Sequence, residues 1–115
     1  MKYFTVSEFN CSETGENEMK HAFMGALDGL RGICGFPFVI TSGYRSPSHS
    51  IEAAKQKPGT HAQGIAADIQ ITNSTQRFSI VSNALELGFS GIGIAKDFIH
   101  LDMRNSGSVM WVYGN

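Results

Sequence analysis

The sequence predicts an α+β fold, a small and mostly antiparallel sheet with helices against one face. Three observations carry this expectation. Residues 18–33 and 74–87 each place apolar side chains at helical spacing and then run into a glycine. Residues 66–71 alternate with the two-residue period of a half-buried strand. Residues 92–103 contain two strand-forming runs joined by Lys96-Asp97, the pattern of a tight antiparallel hairpin.

A chain of 115 residues suits one domain, spanning 1–115, with one core and no internal boundary. Its composition, 42% hydrophobic and 17% charged with three prolines, is that of a folded chain rather than a disordered one. A net charge of −1 without a basic cluster argues against nucleic acid as a partner. No apolar run reaches the ~20 residues of a membrane span, and the first residues lack the apolar core of a secretion signal. The expectation is a soluble monomer made in the cytoplasm, with no membrane insertion. Cys11 and Cys34 are too few to define a disulfide framework and are read as free, mostly buried thiols.

In chain order, residues 4–9 have mixed strand and turn character, and residues 12–17 read as loop. The first helix, about 18–33, carries Phe23, Ala26, Leu27, Leu30 and Ile33 toward the core and ends at Gly35. His21 falls at the edge of that stripe and is read as a surface residue. Residues 36–41, Phe-Pro-Phe-Val-Ile-Thr, form a strand-like run, and Ser42-Gly43-Tyr44-Arg45-Ser46-Pro47 supplies turn chemistry behind it. An arginine in such a turn stands on a rigid base. Residues 48–55 allow a short helix, in which His49 reads as structural or at the edge of a cleft, and residues 56–59 form a loop.

In the strand 66–71, Ala67, Ile69 and Ile71 fall on one side, leaving Asp68 on the face opposite the core. Ser74 is placed to cap the second helix, whose stripe is Phe78, Val81 and Leu85 and whose stop is Gly88. In the hairpin's second strand Ile99, Leu101 and Met103 alternate with His100, Asp102 and Arg104. Inward packing of the first set leaves His100 and Asp102 together on the exposed face. Residues 109–113 supply a last strand.

The chemistry-bearing residues gather around the segment 59–68, Gly-Thr-His-Ala-Gln-Gly-Ile-Ala-Ala-Asp. Small residues let the backbone turn after His61 and then run straight into the strand bearing Asp68. With His100 from the hairpin, two imidazoles and one carboxylate make the three-ligand set of a catalytic zinc site, its fourth position left to water. The expected cleft lies on the sheet face opposite the helices. A water on such an ion has its pKa lowered toward ~7. Asp97, in the turn before the His100 strand, is the candidate proton acceptor. Arg45 is the candidate partner for an oxyanion or a substrate carboxylate. Asp102 is placed to accept the spare ring N–H of a ligand histidine, with Arg104 behind it. A serine nucleophile is disfavoured, since Ser42 and Ser46 do not lie in a Gly-x-Ser-x-Gly elbow.

Taken together, Ser-Gly-Tyr-Arg-Ser at 42–46, His-Ala-Gln-Gly-Ile-Ala-Ala-Asp at 61–68 and Asp-Phe-Ile-His-Leu-Asp at 97–102 resemble the zinc D-alanyl-D-alanine carboxypeptidase family. That family includes dipeptidases and phage endolysin endopeptidases acting on peptidoglycan stem peptides. The resemblance runs from about residue 4 to 111. It implies His61, Asp68 and His100 as zinc ligands, Asp97 as the acid/base residue and Arg45 as a substrate or transition-state contact. Many members carry glutamate where Asp97 stands, and some have a histidine where this chain has Ala95 and Lys96. The implied function is zinc-dependent hydrolysis of a peptidoglycan peptide bond, of the D-Ala-D-Ala carboxypeptidase or L-Ala-D-Glu endopeptidase type. A phage lytic enzyme or virion component acting on the bacterial wall after release fits this size. The competing reading is a non-catalytic zinc-containing module for wall binding or phage assembly.

Overall fold

In a computed structural model that describes residues 1–114, five strands form one sheet in the order β1-β2-β4-β3-β5. They are β1 (Ile40–Ser42), β2 (Ala66–Gln70), β3 (Gly91–Ile94), β4 (Phe98–Asp102) and β5 (Val109–Val112). Neighbours run antiparallel except β3 and β5, which pair in parallel. The helices are α1 (His21–Cys34), α2 (Ser50–Ala53) and α3 (Ser74–Leu87), preceded by a 3-10 turn over Val6–Phe9. The α+β architecture and the mostly antiparallel sheet thus match the sequence expectation.

Strand alternation divides the sheet into two unlike faces. Ala67 and Ile69 of β2, Ile92 of β3, and Ile99 and Leu101 of β4 join the hydrophobic core with Phe23, Met24, Leu27 and Leu30 of α1. Helix α1 packs on α3, and α3 on β4, so these two helices cover this face. Burial of each such Ile, Leu, Met or Phe side chain contributes about 1.5–3 kcal/mol. Gly35, at φ 78°, ends α1 as expected, while Ile33 lies outside the core.

Several local expectations are corrected. The apolar run at 36–41 does not become a strand throughout, because Pro37 brings no N–H to a ladder. Phe38 instead turns into the core, packed beside Phe36, and pairing begins at Ile40 and runs on through Ser42. Asn73, not Ser74, caps α3, its side chain accepting from the Gln76 amide at 2.8 Å. The stripe assigned to that helix is also displaced. Phe78 and Leu85 are 75% and 56% exposed, and the buried pair is Ile80 and Ala84. His100 and Asp102 share one face as expected, but that face is covered and both are buried. The Trp111 ring lies 5.1 Å from the His100 ring, and the Arg104 guanidinium lies over Trp111.

His21 is exposed, and Cys11 and Cys34 are both free, the first buried and the second half-buried. Among the described residues no helix is long and apolar enough to cross a membrane.

Candidate metal centre

The segment 59–68 is a turn feeding a central strand. Gly64 lies at φ 77°, and a Cβ there would meet the Glu18 carbonyl, so only glycine lets the chain double back before β2. Asp68 is the third residue of β2 and pairs in register with His100 of β4. Direct cross-strand partners on one face bring their side chains together. Gly91, opposite Asp102 in the β3–β4 pair, leaves the space that the Asp102 carboxylate fills, since a Cβ at Gly91 would collide with it.

The three sequence-distant candidates converge. His61, Asp68 and His100 are all buried, and each offers a ligand atom within 4.8 Å of the others. Asp68 Oδ1 lies 3.3 Å from His61 Nε2 and 3.0 Å from His100 Nδ1. The remaining ring nitrogens are committed elsewhere. His61 Nδ1 is 2.8 Å from the Gly43 carbonyl oxygen, which can only accept, so Nδ1 carries a hydrogen and Nε2 is the nitrogen turned toward Asp68. His100 Nε2 donates to Asp102 Oδ2 at 2.7 Å, which leaves His100 Nδ1 directed toward Asp68. Two imidazole nitrogens and a carboxylate oxygen, each oriented by a partner behind it, are a donor set that fits a borderline-soft divalent cation.

The electrostatics follow from the same contacts. Burial alone would raise the Asp68 carboxyl, but hydrogen bonds from His100 and His61 hold it well below the usual carboxylate range. Burial would lower His100, yet its bonds to Asp102 and Asp68 raise it above an ordinary histidine. Asp102 is likewise kept well below the usual range against its burial, by His100 and by Arg104, whose Nε and Nη2 donate at 2.9 and 2.6 Å. The His100–Asp102 pair is therefore buried, with the half-buried Arg104 closing the chain, rather than a surface ion pair.

Arg45 stands at the same site. Its Nη2 lies 3.8 Å from Asp68 Oδ2, its Nη1 lies 3.7 Å from Glu52 Oε2, and its Nε donates to Ser42 Oγ at 3.3 Å. Asp97 is placed differently. It lies in the loop between β3 and β4 with its side chain exposed, and its backbone carbonyl accepts from the Ile71 amide at 2.9 Å. Among the described residues its carboxylate makes no hydrogen bond or ion pair. It lines a surface cleft of about 670 Å³ with Phe98 and Tyr113. His49 is buried, its Nε2 3.2 Å from Glu13 Oε2 and its Nδ1 capping α2, which is a structural position.

Two contributors went unread in the sequence. Glu52 is a buried carboxylate on α2 with no motif around it, and the Gly43 carbonyl is backbone. A third part, the Trp111 and Tyr113 wall beside Gly93 and His100, needed the parallel docking of β5 on β3 to be visible.

Residues 2–102 of the chain match the family model described as Peptidase M15. No curated protein matches the chain. The matched span contains His61, Asp68, Arg45, Asp97, His100 and Asp102, and it stops before β5.

Proposed function

We propose that this chain, which belongs to the peptidase M15 family, hydrolyses a peptide bond in bacterial peptidoglycan stem peptides, using zinc held by His61, Asp68 and His100. The observation that carries this reading is the convergence of three buried donors whose other polar atoms are already engaged. Three such ligands would leave room for water or substrate on a bound ion, as in catalytic zinc sites. When bound, the ion supplies acidification of a coordinated water and polarisation of the scissile carbonyl.

The chain's own residues account for the remaining steps. Asp102 accepts the His100 Nε2 hydrogen and so holds the ring with Nδ1 forward. Arg45 presents a forked cation beside Asp68, suited to a substrate carboxylate or to the carbonyl oxygen as it gains charge. Asp97 is assigned the proton transfer: it takes a proton from the attacking water as the C–O bond forms and delivers it to the amine as the C–N bond breaks. Its support is its place in the loop entering β4, three residues before His100. The protein acts as a single-domain monomer on the wall, of the D-Ala-D-Ala carboxypeptidase or L-Ala-D-Glu endopeptidase type, in a phage lytic setting.

The second reading, a zinc-holding wall-binding or phage structural module without catalysis, is favoured by one feature. The Asp97 carboxylate is exposed and unattached to the donor trio. Mass spectrometry of muropeptides after digestion with zinc-loaded and chelated protein separates the two. The expected outcome is metal-dependent cleavage at one bond, lost by about 10²–10⁴-fold in Asp97→Ala with zinc content unchanged. Intact muropeptides from a range of walls would establish the module instead.

A further inference from the structure

Glu52 is the buried carboxylate that the chemistry above does not use. Acidic side chains on a short surface helix normally face water, yet this one is 1% exposed. Its Oε1 accepts from the Gly59 amide at 3.0 Å, and its Oε2 accepts from Lys55 Nζ at 2.9 Å. The same Oε2 stands 3.7 Å from Arg45 Nη1. Burial would raise its pKa, but the bonds from Lys55 and Gly59 and the charges of Lys55 and Arg45 bring it below an ordinary glutamate.

We infer that Glu52 is a positioning residue that fixes the Arg45 guanidinium against the turn carrying His61. The inference rests on the reading of Arg45 as a substrate or transition-state contact. Gly59 opens that turn two residues before His61, and a Cβ at Gly59 would lie 2.6 Å from Lys55 Nζ and 3.4 Å from Glu52 Oε1. The turn is therefore closed directly onto this carboxylate. Arg45 sits between two buried acids, Asp68 on one side and Glu52 on the other. Asp68 belongs to the donor trio, and a cation there draws on the same negative charge that attracts Arg45. The other partners of Glu52, Lys55 and the Gly59 amide, lie outside the donor trio, so a cation there does not draw on the Glu52 charge directly. Glu52 is the partner that keeps the guanidinium in the cleft when the metal site is filled.

Glu52→Gln retains the shape and an oxygen for the Gly59 amide but removes the charge facing Arg45. Two measurements on the full chain, zinc-loaded and metal-free, test the inference. The first is the ¹⁵N spectrum of the Arg45 guanidinium, which reads its mobility without any need for turnover. Restricted rotation is expected in the wild type and free averaging in Glu52→Gln. The second is a double-mutant cycle on kcat/KM. Glu52→Gln is expected to lose about tenfold or more in the wild-type background and nothing further in Arg45→Ala, with bound zinc unchanged throughout.

Equal losses in both backgrounds would show that Glu52 acts on the fold and not through Arg45. Unchanged Arg45 signals, or changed signals with unchanged kcat/KM in an active protein, would likewise overturn the inference. If Glu52→Gln does not fold, Glu52→Asp, which keeps the charge but withdraws it by one methylene, is read in the same way. A wild type that cleaves nothing would count against the peptidase reading, and the guanidinium spectrum alone would then decide the role of Glu52.

Discussion

Asp28 lies in the interior of α1, yet its carboxylate accepts the backbone amides of Lys2 at 2.9 Å, Tyr3 at 2.8 Å and Phe4 at 3.1 Å. Burial would raise this carboxyl; the three donors outweigh it and hold the pKa below the ordinary value of 3.8. A depressed folded-state pKa means stability that is present above about pH 4 and lost as the pH falls through the folded value. Asp28→Asn keeps one acceptor oxygen but turns an N–H toward an N–H. The loss expected at pH 7 is on the order of 1–3 kcal/mol, read by thermal melting, and it shrinks as the pH falls below 3.8, where the wild type progressively gives up the same interaction. A loss of equal size at both ends of that range would mean that charge plays no part. Asp102→Asn tests the metal centre in the same spirit: zinc affinity, measured by competition with a chromophoric chelator, is expected to fall about 10–100-fold. His61, Asp68 and His100 were legible because histidine and aspartate beside small residues at a turn and on strands have few structural uses there. Asp28 and Glu52 were not, because an acidic residue on a helix is by default a solvated one. Only the packing of distant segments reveals otherwise.

Helix α3 shows why an element can be read correctly while its inward face is not. Phe78, Val81 and Leu85 form one apolar stripe, and Ile80, Val81 and Ala84 form another; spacing alone does not choose between two overlapping stripes. Contact with α1 and β4 chooses the second, leaving Phe78 75% exposed and Ile80 fully buried. Ile80→Ala is therefore expected to cost about 2–5 kcal/mol and Phe78→Ser to stay within about 0.5 kcal/mol, both by denaturant unfolding. The reverse order would restore the stripe expected from sequence. Strand β5 carries a different lesson. Its strand character was visible, but its parallel partnership with β3 was not, since pairing between non-consecutive strands is a property of the whole sheet. That pairing sets Trp111, the one tryptophan of the chain, 5.1 Å from His100. Zinc binding is thus expected to change the intrinsic fluorescence saturably, with the stoichiometry of one ion per chain. His100→Ala is expected to abolish the change, and a signal surviving in that variant would place the ion elsewhere.

At the scale of the whole molecule, the sheet order does what no local pattern announces. It sets β4 between β2 and β3, and so joins a turn at 45, a turn at 61 and two strands at 68 and 100 into one buried cluster. The residue types of the site were readable one segment at a time; their convergence depends on a register that only the assembled core enforces. That dependence couples metal to fold. A ligand bound by the native state alone stabilises it by about 2.7 kcal/mol at one hundred times its Kd, so zinc is expected to raise Tm by several degrees. The pH dependence has a definite sign. In the metal-free protein the raised pKa of His100 contributes stability that is fully present below the ordinary value of 6.5 and is lost as the pH rises through the folded value. Zinc requires the neutral ring and gains affinity over that same interval as the competing proton leaves. The zinc-induced rise in Tm should therefore be larger at pH 8 than at pH 6 and absent in His61→Ala. An increment equal at both pH values, or one that persists without His61, would mean that the ion stabilises the protein from some place other than this cluster.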